Sequence, residues 1–528
     1  GGFARNYWDY MNINALQTLN WSHDYGKHHV DALLGHEFNW TRSSSLNYVS
    51  SMSLIPNFNT FANFIALNTS AAAQASLGSN GGGEDQIALE GYFLRANYNY
   101  DSRYFVSASV RTDGSSKFKN VSDRWGWFWS LGGAWRISNE EWIKDASWLT
   151  DLKLRADYGT TGNQSGIGNY AGYTTWGYAA TGWLNSGASM PSGWKLTQNA
   201  MANSSLTWET KKTWDVGLDF RLWDRFYGTI DWYRSMTDDM LWNVPMSIEK
   251  GQTTIAANSA KMKTWGIEFD LGVDIIKTPD ILWSFSVNGG HYKSTMANTP
   301  EGVGDPKLNN CWTATSDAWS MSGVGGGAGI IYLRGEGKPY YNIYQVRYMG
   351  VDQTTGLPLY SHYVTAAEAT AGTFGSAKEG DLVGTTNYSI ADRVELGDAT
   401  PDFIGGFSTS FTYKNFDIAA TFAFQIGGKF FSADYGYDGW YNNQKIGKPV
   451  SADMKNNTWS TYTNTGAKFP MQIYANPNGA SWPASGIAWG SSWQYTDMSL
   501  FNASYLSVKN ITVGYNFPQR WMDKIGIG

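Results

Sequence analysis

Over most of the chain, apolar and polar residues alternate one for one, the period of a β-strand whose two faces meet different surroundings. Across 151–158, Leu152, Leu154, Ala156 and Tyr158 share one face while Lys153, Arg155 and Asp157 share the other. Val216, Leu218, Phe220 and Leu222 stand against Asp215, Asp219 and Arg221 in the same way. So do Ile267, Phe269, Leu271 and Val273 against Glu268, Asp270 and Asp274. Similar runs occupy 30–40, 92–100, 104–111, 283–288 and 418–426, and helical periodicity is nearly absent. The chain is therefore expected to be all-β, although alternation by itself suits a sandwich as well as a barrel.

The connections separate these two. Tight turns at Asp101 and Ser102, 223–225, 277–280 and Lys414 with Asn415 alternate with long segments at 41–85, 161–207, 294–402 and 429–502, which together exceed half the chain. Short turns at one end and long loops at the other describe a transmembrane antiparallel β-barrel of the outer-membrane kind. Strands are expected near 7–21, 28–40, 87–100, 103–112, 125–137, 151–160, 208–222, 226–236, 263–275, 281–293, 403–413, 416–428 and 503–516. Their directions alternate with every tight turn on the periplasmic side, and 331–349 reads as loop structure or a strand extension that adds no crossing. An odd number of crossings cannot close a single-chain bacterial barrel, so further strands are expected outside this sequence.

Composition agrees. Charged residues make up 16% of the 528 residues, aromatic residues another 16%, and glycines number 59. Outward faces in lipid need apolar side chains, with Trp and Tyr at the headgroup level and charges turned to the lumen. Trp8, Trp21, Trp40, Trp125, Trp127, Trp129, Trp135, Trp208 and Trp283 are expected as such a girdle. A net charge of −6 without a Lys/Arg block argues against a nucleic-acid partner. No apolar stretch reaches the length of a membrane helix. The single Cys311 excludes an internal disulfide or a cysteine metal cluster. The beginning at Gly1 and the ending at Gly528 read as cuts from a longer chain.

Chemistry-bearing patterns are sparse. His28 and His29 precede a strand without metal-ligand spacing, the run 323–327 lacks the strand and helix of a phosphate loop, and the adjacent Glu140 and Glu141 point apart. No catalytic constellation emerges, so an enzyme is not expected, nor is a cofactor or metal. The long loops instead hold Trp176, Trp183, Trp194, Trp312, Trp319, Trp440, Tyr441, Trp459, Trp482, Trp489 and Trp493, with Asp438 and other amides and carboxylates between them. Exposed tryptophan in such numbers needs a cause. One is mutual packing of the loops; the other is a set of platforms for sugar rings, with Asn and Asp bonding the hydroxyls. The charged residues Lys153, Arg155, Asp157, Asp215, Asp219, Arg221, Glu268 and Asp270 are expected to face the lumen, as ion-paired wall by default.

An ordered series of motifs carries a family resemblance. Arg111-Thr-Asp-Gly-Ser-Ser-Lys-Phe118 is followed by Arg124-Trp-Gly-Trp-Phe128, Gly133-Ala-Trp-Arg-Ile-Ser138, Leu152-Lys-Leu-Arg155 and Tyr158-Gly-Thr-Thr-Gly-Asn163. Further on come Gly217-Leu-Asp-Phe220, Trp265-Gly-Ile-Glu268, Thr400-Pro-Asp-Phe-Ile-Gly-Gly-Phe407 and Tyr505-Leu-Ser-Val-Lys-Asn-Ile-Thr-Val-Gly-Tyr515. The series resembles SusC/RagA-type TonB-dependent outer-membrane transporters over essentially the whole chain.

The resemblance implies a barrel of about 22 strands with an N-terminal plug, of which 1–528 would be one part, lacking the plug, the first strands and the last. It implies location in the outer membrane of a Bacteroidetes-type bacterium, in contact with lipid. It further implies import of large nutrients, here read as glycans, driven through TonB by way of the missing N-terminal part. A SusD-like lipoprotein lid would cover the mouth, and two transporter-lid pairs would form a dimer. Asp113, Gly114, Ser115, Ser116, Arg124, Trp125, Gly162, Asn163 and Pro401 match family motifs and read as structural. Calcium, bound by an acidic loop in some family members, is not expected here, because 380–392 lacks the regular carboxylates. The rival readings are a peptide importer of the same family and a secreted all-β glycan-binding or structural protein.

Overall fold

The computed structural model describes all residues except 1–2, 51–80, 181–193, 247–248, 250, 253, 301–331, 433–434, 436–450, 461–465, 471–495, 524–525 and 527–528. Thirteen strands succeed one another in a single hydrogen-bonded order. They are β1 (Phe3–Tyr25), β2 (His28–Ser50), β3 (Gly81–Tyr100), β4 (Tyr104–Ser115), β5 (Trp125–Arg136), β6 (Leu149–Asn163) and β7 (Glu209–Leu222). Then follow β8 (Phe226–Pro245), β9 (Thr254–Lys277), β10 (Ile281–Asn298), β11 (Phe403–Tyr413), β12 (Phe416–Ile426) and β13 (Tyr505–Tyr515). Each expected strand is found. β1, β2, β3, β8, β9 and β10 run further than alternation indicates, because beyond the apolar band residues such as Ser43, Ser44 and Ser45 keep the backbone ladder without any contrast between faces.

The turns follow from local sterics. Asp101 and Ser102 adopt φ +54° at both positions, and Trp223 and Asp224 adopt +52° and +53°. Two successive positive φ values match the right-handed twist of the flanking strands. Backbone bonds also join one turn to the next: the Asp101 N–H donates to the Lys27 carbonyl at 2.8 Å and the Arg136 N–H to that of Arg103 at 2.8 Å. Elsewhere the Trp223 N–H donates to Trp148, Lys414 to Asp280 and Asn516 to Asn415, at 2.7, 2.9 and 2.7 Å.

Contacts divide the chain into two compact units. The first, 1–144, 153–215 and 237–259, holds β1–β5, β6 from residue 153 onward, and a loop-side core of Phe118, Phe128, Ile167, Leu206, Trp208 and Leu241. The second, 145–152, 216–236 and 260–528, holds β10–β13 and a separate loop-side insert. In the insert Asn342–Val346 pairs with Arg393–Asp398, while Tyr348–Val351, Pro358–Tyr363 and Leu382–Thr385 form a three-stranded sheet. Val346, Tyr360, Met454 and Phe469 pack as its core. The segment 331–349 thus adds no crossing to the thirteen strands, as the parity argument requires.

Candidate functional site: the polar wall and the loop side

In the first unit the polar side of the ladder is concave. Lys153, Arg155 and Asp157 line a cavity of about 550 Å³ with His29, Asp31, Asn97 and Asn99. Alternation in register makes this so, since Asp31 lies opposite Asn97 and Asp157 opposite Gly132, all on one side. The Lys153 ammonium lies 5.2 Å from the Phe105 ring centroid, where the ring face attracts the cation. Higher on the same side Arg111 donates from Nε to both Asp113 oxygens at 2.7 and 2.8 Å, and from Nη2 to Glu37 at 2.9 Å. The opposite side is apolar and uncovered, with Leu34, Leu94, Trp129 and Leu131 all exposed, Leu131 to 53%.

In the second unit, Glu268 and Asp270 line a cavity of about 430 Å³ with Asp231, Tyr233 and Asn288. The polar side continues through small residues: the Ser284 hydroxyl donates to Asp274 at 2.8 Å, and Ser286 and Ser408 are 2.7 Å apart. Arg221 stacks 5.1 Å from the Tyr227 ring and approaches Asp224 at 3.5 Å in the turn. Asp219 alternates on the same side as Arg221, and in the first unit Asp215 alternates with the exposed Trp214. Phe269, Phe403, Phe407, Phe422 and Phe424 build an aromatic ladder on the apolar side.

The motif residues form a lock between loops. Ser115 donates to the Gln164 side chain, Lys117 Nζ to the Ile167 carbonyl at 3.0 Å, and Ser116 Oγ accepts from the Ala88 N–H at 2.9 Å. Arg124 Nε donates to the Phe118 carbonyl at 3.2 Å, and Asn163 to Glu209 at 3.3 Å. Gly114 and Gly162 lie beneath the Trp125 and Phe128 rings, where a Cβ would collide. Pro401 backs Gly428, which has φ +75°. Asp113 belongs to the Arg111 cluster.

One girdle expectation is corrected. Trp208 is buried against Phe118 and Phe128, and its indole N–H donates to the Arg124 carbonyl at 2.8 Å; it belongs to the loop core rather than the lipid-facing belt. Trp8, Trp21, Trp127, Trp129, Trp135 and Trp283 are exposed. Gln164 is not visible in the sequence pattern, and Lys117 stands in a quoted motif without its role, because nothing local announces a lysine whose partners are carbonyls about fifty residues away.

Of the loop aromatics, Trp176 sits on the paired hairpin Thr175–Ala180 and Trp194–Ala200 and is 57% exposed. Trp194 takes its place in that hairpin's backbone ladder. Trp459 is a correction: it is only 8% exposed, donates its indole N–H to the Gln353 carbonyl at 3.1 Å and covers Gly356, so it packs the insert instead of offering a platform. Trp183, Trp312, Trp319, Trp440, Tyr441, Trp482, Trp489, Trp493 and Asp438 lie outside the described residues.

Glu140 belongs to the turn end. It accepts from the Tyr104 hydroxyl at 2.6 Å and the Trp135 indole at 3.0 Å, donors that hold its carboxyl below the ordinary glutamate value, with Arg103 also beside it. Among the described residues no three His, Cys, Asp or Glu side chains come together as a metal site.

Residues 1–372 match the family model described as TonB dependent receptor-like, beta-barrel. The chain belongs to this family. It is an outer-membrane β-barrel protein. TonB-dependent receptor P3 of Formosa agariphila is 27% identical over 96% of this chain and 46% of its own length. TonB-dependent receptor SusC of Bacteroides thetaiotaomicron is 28% identical over 82% of this chain and 38% of its own. The chain thus spans about half the length, or less, of the curated relatives it matches. Among solved structures, the RagAB peptide transporter superposes with a TM-score of 0.70 at 24% identity, over 98% of this chain and 50% of that one, which establishes the shared fold.

Proposed function

We propose that the protein containing this barrel portion imports an oligosaccharide across the outer membrane, energised through TonB and assisted by a SusD-like lipoprotein lid. The polar side of β1–β13 is the lumen wall and the apolar side meets lipid. The substrate enters from the loop side past tryptophan platforms. No catalytic step and no cofactor belong to this reading, and two transporter-lid pairs side by side are its assembled form. The observation that carries the sugar assignment is Trp176, an indole left 57% exposed on a paired hairpin instead of being packed away like Trp459. A second reading, import of a peptide, is favoured by the superposition on a structure described as a peptide transporter.

Calorimetry on the full-length protein, with and without its co-purifying lipoprotein, against oligosaccharide and peptide panels tests both. We expect an oligosaccharide to bind, and Trp176→Ala, Trp440→Ala or Trp489→Ala to weaken it at least roughly tenfold, equivalent to about 1.4 kcal/mol. Tight peptide binding without any glycan response overturns the sugar assignment and leaves the transporter reading standing.

A further inference from the structure

The insert between β10 and β11 holds a titratable group that import does not use. His362 lies in the strand Pro358–Tyr363 with its side chain 6% exposed and its ring 5.4 Å from that of Phe374. Its Nδ1 is 2.9 Å from Asp392 Oδ2, and its Nε2 is 3.0 Å from Glu368 Oε2. A neutral imidazole has one N–H and one lone pair and satisfies one carboxylate; only the imidazolium donates to both.

Both acceptors are held in place by other donors. The Tyr363 N–H donates to Asp392 at 2.8 Å, and the Asp392 N–H returns to the Ser361 carbonyl at 2.7 Å. Glu368 accepts from the Thr365 N–H at 2.9 Å and its hydroxyl at 2.7 Å, completing the capping box of the helix Ala366–Ala371. Neither carboxylate can swing away without losing these bonds.

We propose that His362 is a proton-operated clasp: as an imidazolium it ties the strand Pro358–Tyr363 to the helix Ala366–Ala371 and to the segment ending at Asp392, and it releases them as pH rises. The strand Leu382–Thr385 places the uncharged Val383 opposite His362, and Asp381 just before it turns its carboxylate to the Lys378 N–H. On the other flank, Tyr348 of Tyr348–Val351 pairs with Tyr360. Glu368 and Asp392 are thus the charged groups that act on the ring. Burial pulls His362 down, but the bonds and charges of Glu368 and Asp392 outweigh it and hold the imidazolium above 6.5. Glu368, accepting from the Thr365 backbone and from His362, is drawn from 4.5 to about 2.

The signs give a window. A raised histidine contributes stability that is complete below 6.5 and disappears as pH rises through its folded value; a lowered glutamate contributes stability that is complete above 4.5 and disappears as pH falls toward about 2. The clasp is tightest between these limits.

Hydrogen exchange by mass spectrometry on the full-length protein, corrected for intrinsic rates, tests this from pH 5.5 to 9. We expect protection in peptides covering 358–371 and 386–393 to fall at least roughly tenfold over that range, while peptides from β10–β12 keep theirs. His362→Gln should show the low protection at every pH, and Glu368→Gln should move the midpoint downward. Constant wild-type protection across the range overturns the clasp, as does an unchanged pH profile in His362→Gln. Should His362→Gln unfold the insert outright, Asp392→Asn supplies the same comparison with the imidazole in place.

Discussion

The strand wall and the loop-side cores obey different rules of packing. In the wall the backbone ladder supplies the order, and a side chain such as Leu131 stands uncovered by protein on the apolar side. In the core of the first unit, Phe118 and Leu206 are fully enclosed and Trp208 is gripped on two sides. The lesson is that lipid takes the place of a core along the strands, so close packing is concentrated where the chain leaves the bilayer. The lipid side of the wall therefore tolerates changes of shape but not of polarity, and the loop cores tolerate neither.

Breaking this contrast at its strongest point means emptying a loop core. Phe118→Ala should lower unfolding stability by about 3–5 kcal/mol, the usual cost of deleting a buried aromatic, measured by denaturant titration in lipid vesicles. A smaller loss is expected when charge is put on the lipid side: Leu131→Arg should cost about 2–4 kcal/mol in vesicles. That loss should shrink in mild detergent, where the head reaches water more readily. The smallest effect sharpens the contrast within the wall itself. Gly35→Ala pushes a methyl into the Phe93 ring that covers this glycine across the β2–β3 ladder, and should cost about 1–3 kcal/mol. Combining it with Phe93→Leu should recover most of that loss, because the obstruction is a side chain and not backbone.

The same contrast explains what could be read from residue order. A strand wall with one face in lipid writes its pattern at period two, so Lys153, Arg155 and Asp157 announced their common side and each of the thirteen strands was visible. Their loop-side ends were not, because serine-rich stretches such as Ser43 to Ser45 look alike on both faces. Loop cores were opaque for a different reason. Whether a tryptophan is enclosed like Trp208 and Trp459 or open like Trp176 depends on partners such as Arg124 and Gln353, many residues distant in sequence. His362 gave no signal either, since Glu368 and Asp392 reach it only after the insert has folded.

The backbone bonds that join successive tight turns bear on the order of assembly. Closing a loop costs entropy that grows with the logarithm of its length. Strand pairs joined by two residues, such as β1 with β2 and β11 with β12, have the least to lose and are early units of folding. The β10–β11 pairing must enclose roughly a hundred intervening residues and bears the largest such cost, about 3 kcal/mol more than a two-residue link by the same logarithm. The turn-to-turn bond from the Lys414 N–H to the Asp280 carbonyl joins the foot of one hairpin to the foot of the next and offsets about 1 kcal/mol of that deficit. Zippering from the turn end toward the loop end is the kinetic route this arrangement favours, with the insert the last part to settle.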